Sequence, residues 1–198
     1  MESEKLKRLE ALYLRVRTDP DYRNENMGQV FVPGAGSMQS GVVFIGEAPG
    51  REEEREETPF VGPAGQNLNA LLALIGLARD AVFITNLVKY RPVTPRGENR
   101  APNARESRRA LPYLFEELEL LCPAMVVCLG LSPAKALLQN PGLRMGEANG
   151  TTLELRGYKV FTTYHPSPFN YRVPAKREAT EDSFLRLGEW LNERRRGR

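Results

Sequence analysis

Cysteine is scarce in this chain, which has two such residues, Cys122 and Cys128, among 198. Two thiols exclude a disulfide-dense secreted scaffold and suit a reducing compartment, so we expect a cytoplasmic protein. No stretch has the apolar length that a transmembrane helix needs. The first six residues are charged and lack the apolar core of a signal peptide. We therefore expect no attachment to a membrane.

Two glycine-rich phosphate-binding signatures are also missing, since the chain has neither Gly-x-Gly-x-x-Gly nor Walker spacing. This absence argues against a nucleotide-binding α/β protein that would use the glycines at 46–50 to hold phosphate. The remaining composition, 41% hydrophobic and 27% charged residues, is ordinary for a soluble protein with a sizeable core. We expect residues 1–198 to form one domain.

The net charge is only +3, but the charges are unevenly distributed along the chain. Acidic residues crowd positions 52–57. Basic residues crowd positions 86–109 and the tail at 194–198. This asymmetry indicates a polyanionic partner. Runs of charge are also typical of solvated surfaces, and the acidic run is interpreted in that way.

Hydrophobic periodicity predicts strands that alternate with helices. The predicted strands are 42–46, 82–85, 125–129 and 159–164, and the predicted helices are 4–17, 65–77, 103–121, 133–139 and 177–193. Residues 19–41 and 141–158 have no clear pattern, and the second stretch resembles an irregular hairpin. Because such alternation gives a parallel sheet covered by helices on both faces, we predict a single-domain α/β/α sandwich with a central four-stranded parallel sheet.

Polar or glycine-rich turns directly follow all four predicted strands. They contain Glu47, Asn86, Gly130 to Ser132, and His165, the only histidine of the chain. The carboxyl ends of parallel strands meet at one edge of a sheet, where α/β proteins bind ligands, so we predict a site there. Each residue has an alternative structural interpretation. Asn86 could cap a turn, and His165 could be a structural residue.

The residue types in these turns suit the hydrolysis of an N-glycosidic bond. An amide such as that of Asn86 can both donate to and accept from a pyrimidine edge. Phe60, in a second glycine- and proline-rich stretch, offers a stacking face, although it could equally belong to the core. His165 can stabilise a carbonyl oxygen that gains negative charge, and Glu47 can activate water or stabilise a cationic sugar.

Five segments together carry a resemblance to a known family. They are Gly46-Glu47-Ala48-Pro49-Gly50, Pro59-Phe60-Val61-Gly62-Pro63-Ala64-Gly65-Gln66, Thr85-Asn86-Leu87-Val88-Lys89, Leu129-Gly130 and Tyr164-His165-Pro166. Over residues 42–190 the chain resembles the uracil-DNA glycosylase superfamily, and within it the iron–sulfur branch called family 4.

This resemblance implies a role for each matching residue. Glu47 and His165 would be catalytic, acting on the water or sugar cation and on the O2 carbonyl of the base. Gly46, Glu53, Phe60 and Asn86 would bind the substrate. Phe60 would stack on the flipped base, and Glu53 would crowd the C5 side of the pyrimidine. In relatives the loop after the His-Pro motif enters the DNA stack, so Phe169 would enter the base stack. Apart from the resemblance, the helix start at Ser132 offers free backbone amides to a phosphate, and we expect Lys89, Arg91, Ser132, Ser167 and Arg172 to contact DNA.

The sequence departs from family 4 at the iron–sulfur cluster. That branch holds a [4Fe–4S] cluster through four cysteines, one of them directly after the lysine of the Asn86 motif. Here that position is Tyr90, and two cysteines cannot supply four ligands. We therefore predict no metal and no cofactor. We expect Tyr90 to pack against residues 18–32, with Tyr22 or Phe31 as its neighbours.

The predicted function is that of a monofunctional glycosylase that removes uracil from single- or double-stranded DNA, acting as a monomer. It is monofunctional because no lysine in the matched site could form a Schiff base. Two alternatives remain open on the sequence. The enzyme could act on another deaminated base such as hypoxanthine, or the chain could be a DNA-binding module that lost catalysis.

Overall fold

The structure, a computed structural model, describes residues 2–196. Met1 and the last two residues of the basic tail, Gly197 and Arg198, lie outside the described residues. The helices are α1 (Glu2–Thr18), α2 (Arg51–Glu56), α3 (Pro63–Leu74), α4 (Ala104–Leu121), α5 (Leu131–Leu137), α6 (Met145–Ala148), α7 (Pro168–Tyr171) and α8 (Pro174–Arg196). The strands are β1 (Ala35–Gly36), β2 (Val42–Gly46), β3 (Phe83–Asn86), β4 (Met125–Leu129), β5 (Thr151–Leu155) and β6 (Tyr158–Thr163).

The six strands form one mixed sheet in the order β1-β3-β2-β4-β6-β5. The α/β class is confirmed, but the sheet has two more strands than we predicted. Neighbours among β3, β2, β4 and β6 run parallel, whereas β1 and β5 pair antiparallel at the two edges. The two edge strands escaped prediction because β1 has only two residues and β5 is largely exposed, so neither shows a buried apolar run.

Both faces of the sheet are buried, as a near-continuous apolar strand such as β2 predicts. Its residues alternate between two cores. Val43 and Ile45 face a core shared with α1, α4 and α5, while Val42 and Phe44 face a core shared with α3 and α8. This arrangement places helices on both sides of the sheet and leaves the strand ends open for a site.

The helix ends follow local capping rules in two clear cases. The predicted Asn103 cap of α4 is confirmed, because its side chain accepts a hydrogen bond from the Glu106 backbone N–H (2.9 Å) and Glu106 Oε2 accepts one from the Asn103 N–H (2.8 Å). Helix α4 continues through Pro112 without interruption. Helix α3 ends three residues before the predicted end, and Gly76 there adopts a left-handed φ of 68°.

An aromatic cluster around Tyr90 packs against the N-terminal segment of the chain. Tyr90 lies 5.9 Å from Tyr22 and 5.7 Å from Phe31, measured between ring centroids. Phe31 in turn meets Tyr13 at 5.2 Å, and Tyr22 meets Tyr113 at 5.6 Å. The predicted packing of Tyr90 is therefore confirmed, and it involves both expected neighbours.

Across residues 2–196, we find no helix that combines the length and the apolar character needed to cross a membrane.

Candidate functional site

A pocket of about 390 Å³ opens at the carboxyl edge of the sheet. Five of the predicted site residues line it together: Glu47, Glu53, Phe60, Asn86 and His165. They come from turns after β2, β3 and β6 and from the segments that join β2 to α3. The convergence follows from the parallel register, which for example sets Gly46 opposite Asn86.

Phe60 forms an apolar wall of this pocket and is held there by an unusual backbone. Its φ is 56°, a left-handed value that side-chain-bearing residues adopt at some cost in energy. Its ring lies 5.8 Å from the His165 ring, with an angle of 31° between the planes. Two glycines make room for it. A Cβ on Gly65 would stand 1.8 Å from the Phe60 carbonyl oxygen, and one on Gly46 would stand 2.6 Å from the Phe60 ring.

Asn86 provides the polar edge of the pocket. It ends β3 and is only 3% exposed. Its Oδ1 atom is buried and has no hydrogen-bond partner among the described residues. A Cβ on Gly46 would stand 2.4 Å from this oxygen, so the glycine is required at that position. Since buried polar atoms are rarely left unpaired, the amide is poised for a ligand.

Glu53 holds the pocket wall rather than reaching freely into it. Its Oε2 accepts from the Gly50 N–H (3.0 Å), and its Oε1 accepts from the N–H groups of Val61 (3.0 Å) and Gly62 (2.8 Å). These bonds join α2 to the segment that carries Phe60. The acidic run was interpreted as a solvated surface, yet it forms helix α2 and turns one carboxylate inward.

His165 follows β6 and is partly buried beside Phe60. Burial lowers its pKa to about 4, with a weaker opposing effect from the Glu53 charge, so the imidazole is neutral at pH 7. Two asparagines that sequence reasoning missed hold its loop. Asn170 Nδ2 donates to the His165 carbonyl (2.9 Å) and Asn67 Nδ2 donates to the Pro166 carbonyl (2.9 Å). No motif marks them, because their partners are backbone atoms.

Glu47 lies between the strand ends and is also partly buried. Burial raises the pKa of its carboxyl group, while the hydroxyl of Ser132 beside it acts in the opposite direction. Ser132, which we predicted to contact DNA, therefore stands next to Glu47 at the turn between β4 and α5. At that turn Gly130 has a φ of 101°, and a Cβ there would lie 3.2 Å from the His165 Cβ.

The prediction that Lys89 contacts DNA is wrong. Its ammonium group is 2% exposed and forms a salt bridge of 2.6 Å with Glu117 Oε2. It also donates to the Thr85 hydroxyl and lies 5.8 Å from the centroid of the Tyr13 ring. Glu117 is fully buried as well, so the lysine neutralises a charge inside the core and does not face solvent.

The same prediction for Arg91 is also wrong. The residue is 7% exposed, and its guanidinium donates to Glu54 (3.0 Å), to the Asn99 side chain (2.6 Å) and to the Gly97 carbonyl (2.7 Å). These bonds clamp the basic loop onto α2. Sequence reasoning missed Asn99, which lines the pocket, because nothing in a proline-rich loop distinguishes one asparagine.

Three of the remaining predicted DNA contacts, Ser167, Phe169 and Arg172, lie close in sequence to Pro168, which lines the pocket. Ser167 caps α7 by accepting from the Asn170 N–H (3.3 Å). Phe169 projects from that helix and is 74% exposed, with the Lys176 ammonium 5.4 Å from its ring centroid. Arg172 is exposed at the end of the same helix. Phe169 is therefore an exposed aromatic side chain with one cation, Lys176, beside its ring.

The described residues contain no group of three or more His, Cys, Asp or Glu side chains that could hold a metal ion. Cys128 is buried within β4, where burial raises the pKa of its thiol, and Cys122 is exposed at the end of α4. The aromatic residues around Tyr90 supply no thiolate, which is the ligand that an iron–sulfur cluster needs. The residues present do not fit a [4Fe–4S] cluster.

The fold and pocket define an α/β protein with a cavity at the carboxyl ends of parallel strands. Residues 33–187 match the family described as the Uracil DNA glycosylase superfamily. The chain is 43% identical to a type-4 uracil-DNA glycosylase of Pyrobaculum aerophilum over 168 residues, covering 81% of this chain and 84% of the relative. It is 39% identical to that of Archaeoglobus fulgidus over 166 residues, covering 80% and 81%. The chain belongs to the uracil-DNA glycosylase superfamily.

Proposed function

We propose that this protein is a monofunctional DNA glycosylase that hydrolyses the N-glycosidic bond of uracil in DNA. The observation that carries this proposal is the unpartnered, buried Oδ1 of Asn86 in a pocket walled by Phe60. The pocket is large enough for a flipped pyrimidine, and the type-4 relatives carry the name of this activity.

Recognition of the base rests on its shape and on its hydrogen-bonding edge. The amide of Asn86 offers an acceptor and a donor side by side, which complement the N3–H donor and O4 acceptor of uracil. The Phe60 ring provides a stacking face for the same base. We propose that Glu53, fixed by its three backbone bonds, fills the C5 side of the pocket and disfavours the methyl group of thymine.

Catalysis follows from the two titratable groups that share the pocket. When the glycosidic bond breaks, the base leaves as an anion and the sugar becomes cation-like. His165 is neutral at pH 7, and its imidazole N–H can donate a hydrogen bond to the O2 atom as negative charge builds there. The carboxylate of Glu47 can stabilise the sugar cation and orient the attacking water.

The reaction has no covalent amine step. The residues that line the base pocket in the described chain include no lysine, the nearby Lys89 is held by Glu117 in the core, and Lys135 lines only the neighbouring cavity between α4 and α5. An amine buried in an ion pair is unavailable as a nucleophile. The expected products are therefore free uracil and an intact strand with an abasic site.

DNA is proposed to lie across the mouth of the pocket. Arg172 and the loop of Ser167 would meet phosphates, Ser132 would contribute from the β4–α5 turn, and Phe169 would enter the base stack. The exposure of Phe169 beside Lys176 supports this orientation. We further propose that residues 1–198 act as a single domain and as a monomer in the cytoplasm, where free thiols such as Cys122 and Cys128 persist.

A gel assay with labelled oligonucleotides tests the function. Single strands, U·G duplexes and U·A duplexes are incubated with the protein and then treated with alkali, which cleaves abasic sites. We expect cleavage at uracil only after alkali treatment, and none at thymine or cytosine. Hypoxanthine-containing strands run in parallel report the other deaminated base. Binding to these strands without any cleavage would instead indicate a DNA-binding module that lacks catalysis.

A further inference from the structure

A second and larger cavity, here called the side cleft, shares Glu47 and His165 with the base pocket. Its volume is about 770 Å³, compared with about 390 Å³ for the base pocket. Helix α4 forms one wall and the β4–α5 turn with helix α5 forms the other. Because Glu47 and His165 line both cavities, the side cleft begins where the sugar of a bound uridine would lie.

The walls of the side cleft are apolar while its rim is cationic. Leu111, Leu131 and Ala136 contribute to the walls, and Arg108 and Lys135 stand at the rim. Neither cation forms an ion pair with a carboxylate in the part of the chain that the structure describes. Glu47, shared with the base pocket, is the one acidic residue that lines the cleft within the described part of the chain.

We propose that the side cleft holds the nucleotide next to the uridine in an unpaired DNA strand. The faces of the neighbouring base would lie against the leucine-lined walls, and the phosphate of that nucleotide would lie near Arg108 and Lys135. This inference rests on the proposed excision of uracil. Two observations identify DNA as the occupant: the cleft is continuous with the base pocket through Glu47 and His165, and its rim carries the charge that attracts a polyanion.

An unpaired strand is the form of DNA that can use this cleft. In a duplex, the neighbour of a flipped nucleotide stays stacked and paired, so its base is not available to a side cavity. In a single strand, the bases can separate and bind to protein surfaces individually. The side cleft therefore predicts that the enzyme senses the neighbouring base in single strands.

The first test changes the DNA substrate and uses the wild-type protein. Single-stranded oligonucleotides carry one uracil, with a stable abasic spacer in place of the base on its 5′ side or on its 3′ side. We expect the spacer on one side to raise KM about tenfold with kcat unchanged, since the apolar contact of one base is lost. The spacer on the other side should change KM less than about twofold.

A matched pair of variants provides the second test. Arg108→Ala and Arg105→Ala each remove one exposed positive charge from α4, but only Arg108 lines the cleft. We expect Arg108→Ala to raise KM on single strands about three- to tenfold and Arg105→Ala to leave it nearly unchanged. Ser107→Trp, which fills the cleft from the same helix, should abolish the sensitivity to the spacer. Thermal unfolding confirms that each variant is folded.

The outcomes separate the two proposals. If uracil is excised with the same KM whichever neighbour is absent, the side cleft holds no nucleotide, although the proposed function stands. If Arg108→Ala and Arg105→Ala raise KM equally, the inference is also overturned, because equal effects indicate only long-range attraction between the positive charges and the DNA. If no uracil-containing strand is cleaved by the wild-type protein, the proposed function fails and this inference fails with it.

Discussion

Replacing Lys89 with methionine should destabilise the protein without weakening its electrostatic attraction to DNA. Glu117 is fully buried and receives hydrogen bonds from Tyr13 and Thr85, and among residues 2–196 Lys89 supplies the one positive charge bonded to it. Methionine keeps the length of the side chain and removes that charge. Glu117 would then be an uncompensated carboxylate inside the core, which is far more costly than an unpaired charge at the surface.

The expected loss of unfolding free energy is about 3–5 kcal/mol, the usual effect of breaking a buried ion pair from one side. For a protein of this length, such a loss lowers Tm by roughly 6–20 °C. The double variant Lys89→Met, Glu117→Leu removes both charges and should recover much of the loss, because an apolar pair of similar size can replace a buried ion pair. The two single variants and the double variant form a thermodynamic cycle.

Urea unfolding and DNA binding at several salt concentrations together show whether Lys89 stabilises the core or contacts DNA. The control is Arg172→Ala, which removes an exposed cation proposed to meet phosphate. It should leave stability unchanged and reduce the slope of log K against log salt by about one. The Lys89 variant should show the reverse pattern, with lower stability and an unchanged slope. A Lys89→Met protein of wild-type stability with a smaller salt slope would refute this interpretation of the lysine.

Four further predictions concern the site and the missing cluster. His165→Ala should lower the single-turnover rate, because about 3–4 kcal/mol of transition-state stabilisation is lost. The NMR signals of the wild-type imidazole should titrate with a pKa of about 4. A midpoint above 6 would show that burial does not control the pKa of His165. Excision should fall as the pH drops through the raised pKa of Glu47, because its carboxylate must be ionised, and Glu47→Gln should be slow at every pH. Asn86→Asp should weaken discrimination between uracil and cytosine, measured as the ratio of kcat/KM values. Purified protein should contain no stoichiometric iron, and Tyr90→Ala should lower stability by about 3–5 kcal/mol in urea unfolding; iron in the wild-type protein would contradict the role given to Tyr90.

The central strands and the pocket residues could be predicted from sequence because both obey local rules. Four consecutive apolar residues before Gly46 indicate a strand that is buried on both faces, and β2 has the predicted bounds. The residues directly after such strands meet at one edge, so Glu47, Asn86 and His165 could be placed together without knowledge of any contact.

The charged residues could not be placed in the same way, because their burial depends on partners far along the chain. Lys89 pairs with Glu117, 28 residues away, and Arg91 pairs with Glu54, 37 residues away. A sequence window around either cation shows only a basic loop, which usually lies at the surface. Glu53 was missed as a wall-holding residue for a different reason, since its carboxylate accepts from nearby backbone N–H groups, which carry no sequence signal.

The buried charges and the base pocket are connected through one strand. Thr85 and Asn86 are consecutive residues of β3, so their side chains leave the strand in opposite directions. The hydroxyl of Thr85 bonds to Glu117 and Lys89 in the core shared with α1 and α4, while Asn86 lines the base pocket. The backbone N–H of Lys89 donates a hydrogen bond to the Tyr22 hydroxyl (3.1 Å). Tyr22 belongs to the aromatic cluster around Tyr90. The rings and the ion pair thus anchor the segment that follows Asn86, at the place where the iron–sulfur branch uses a metal cluster.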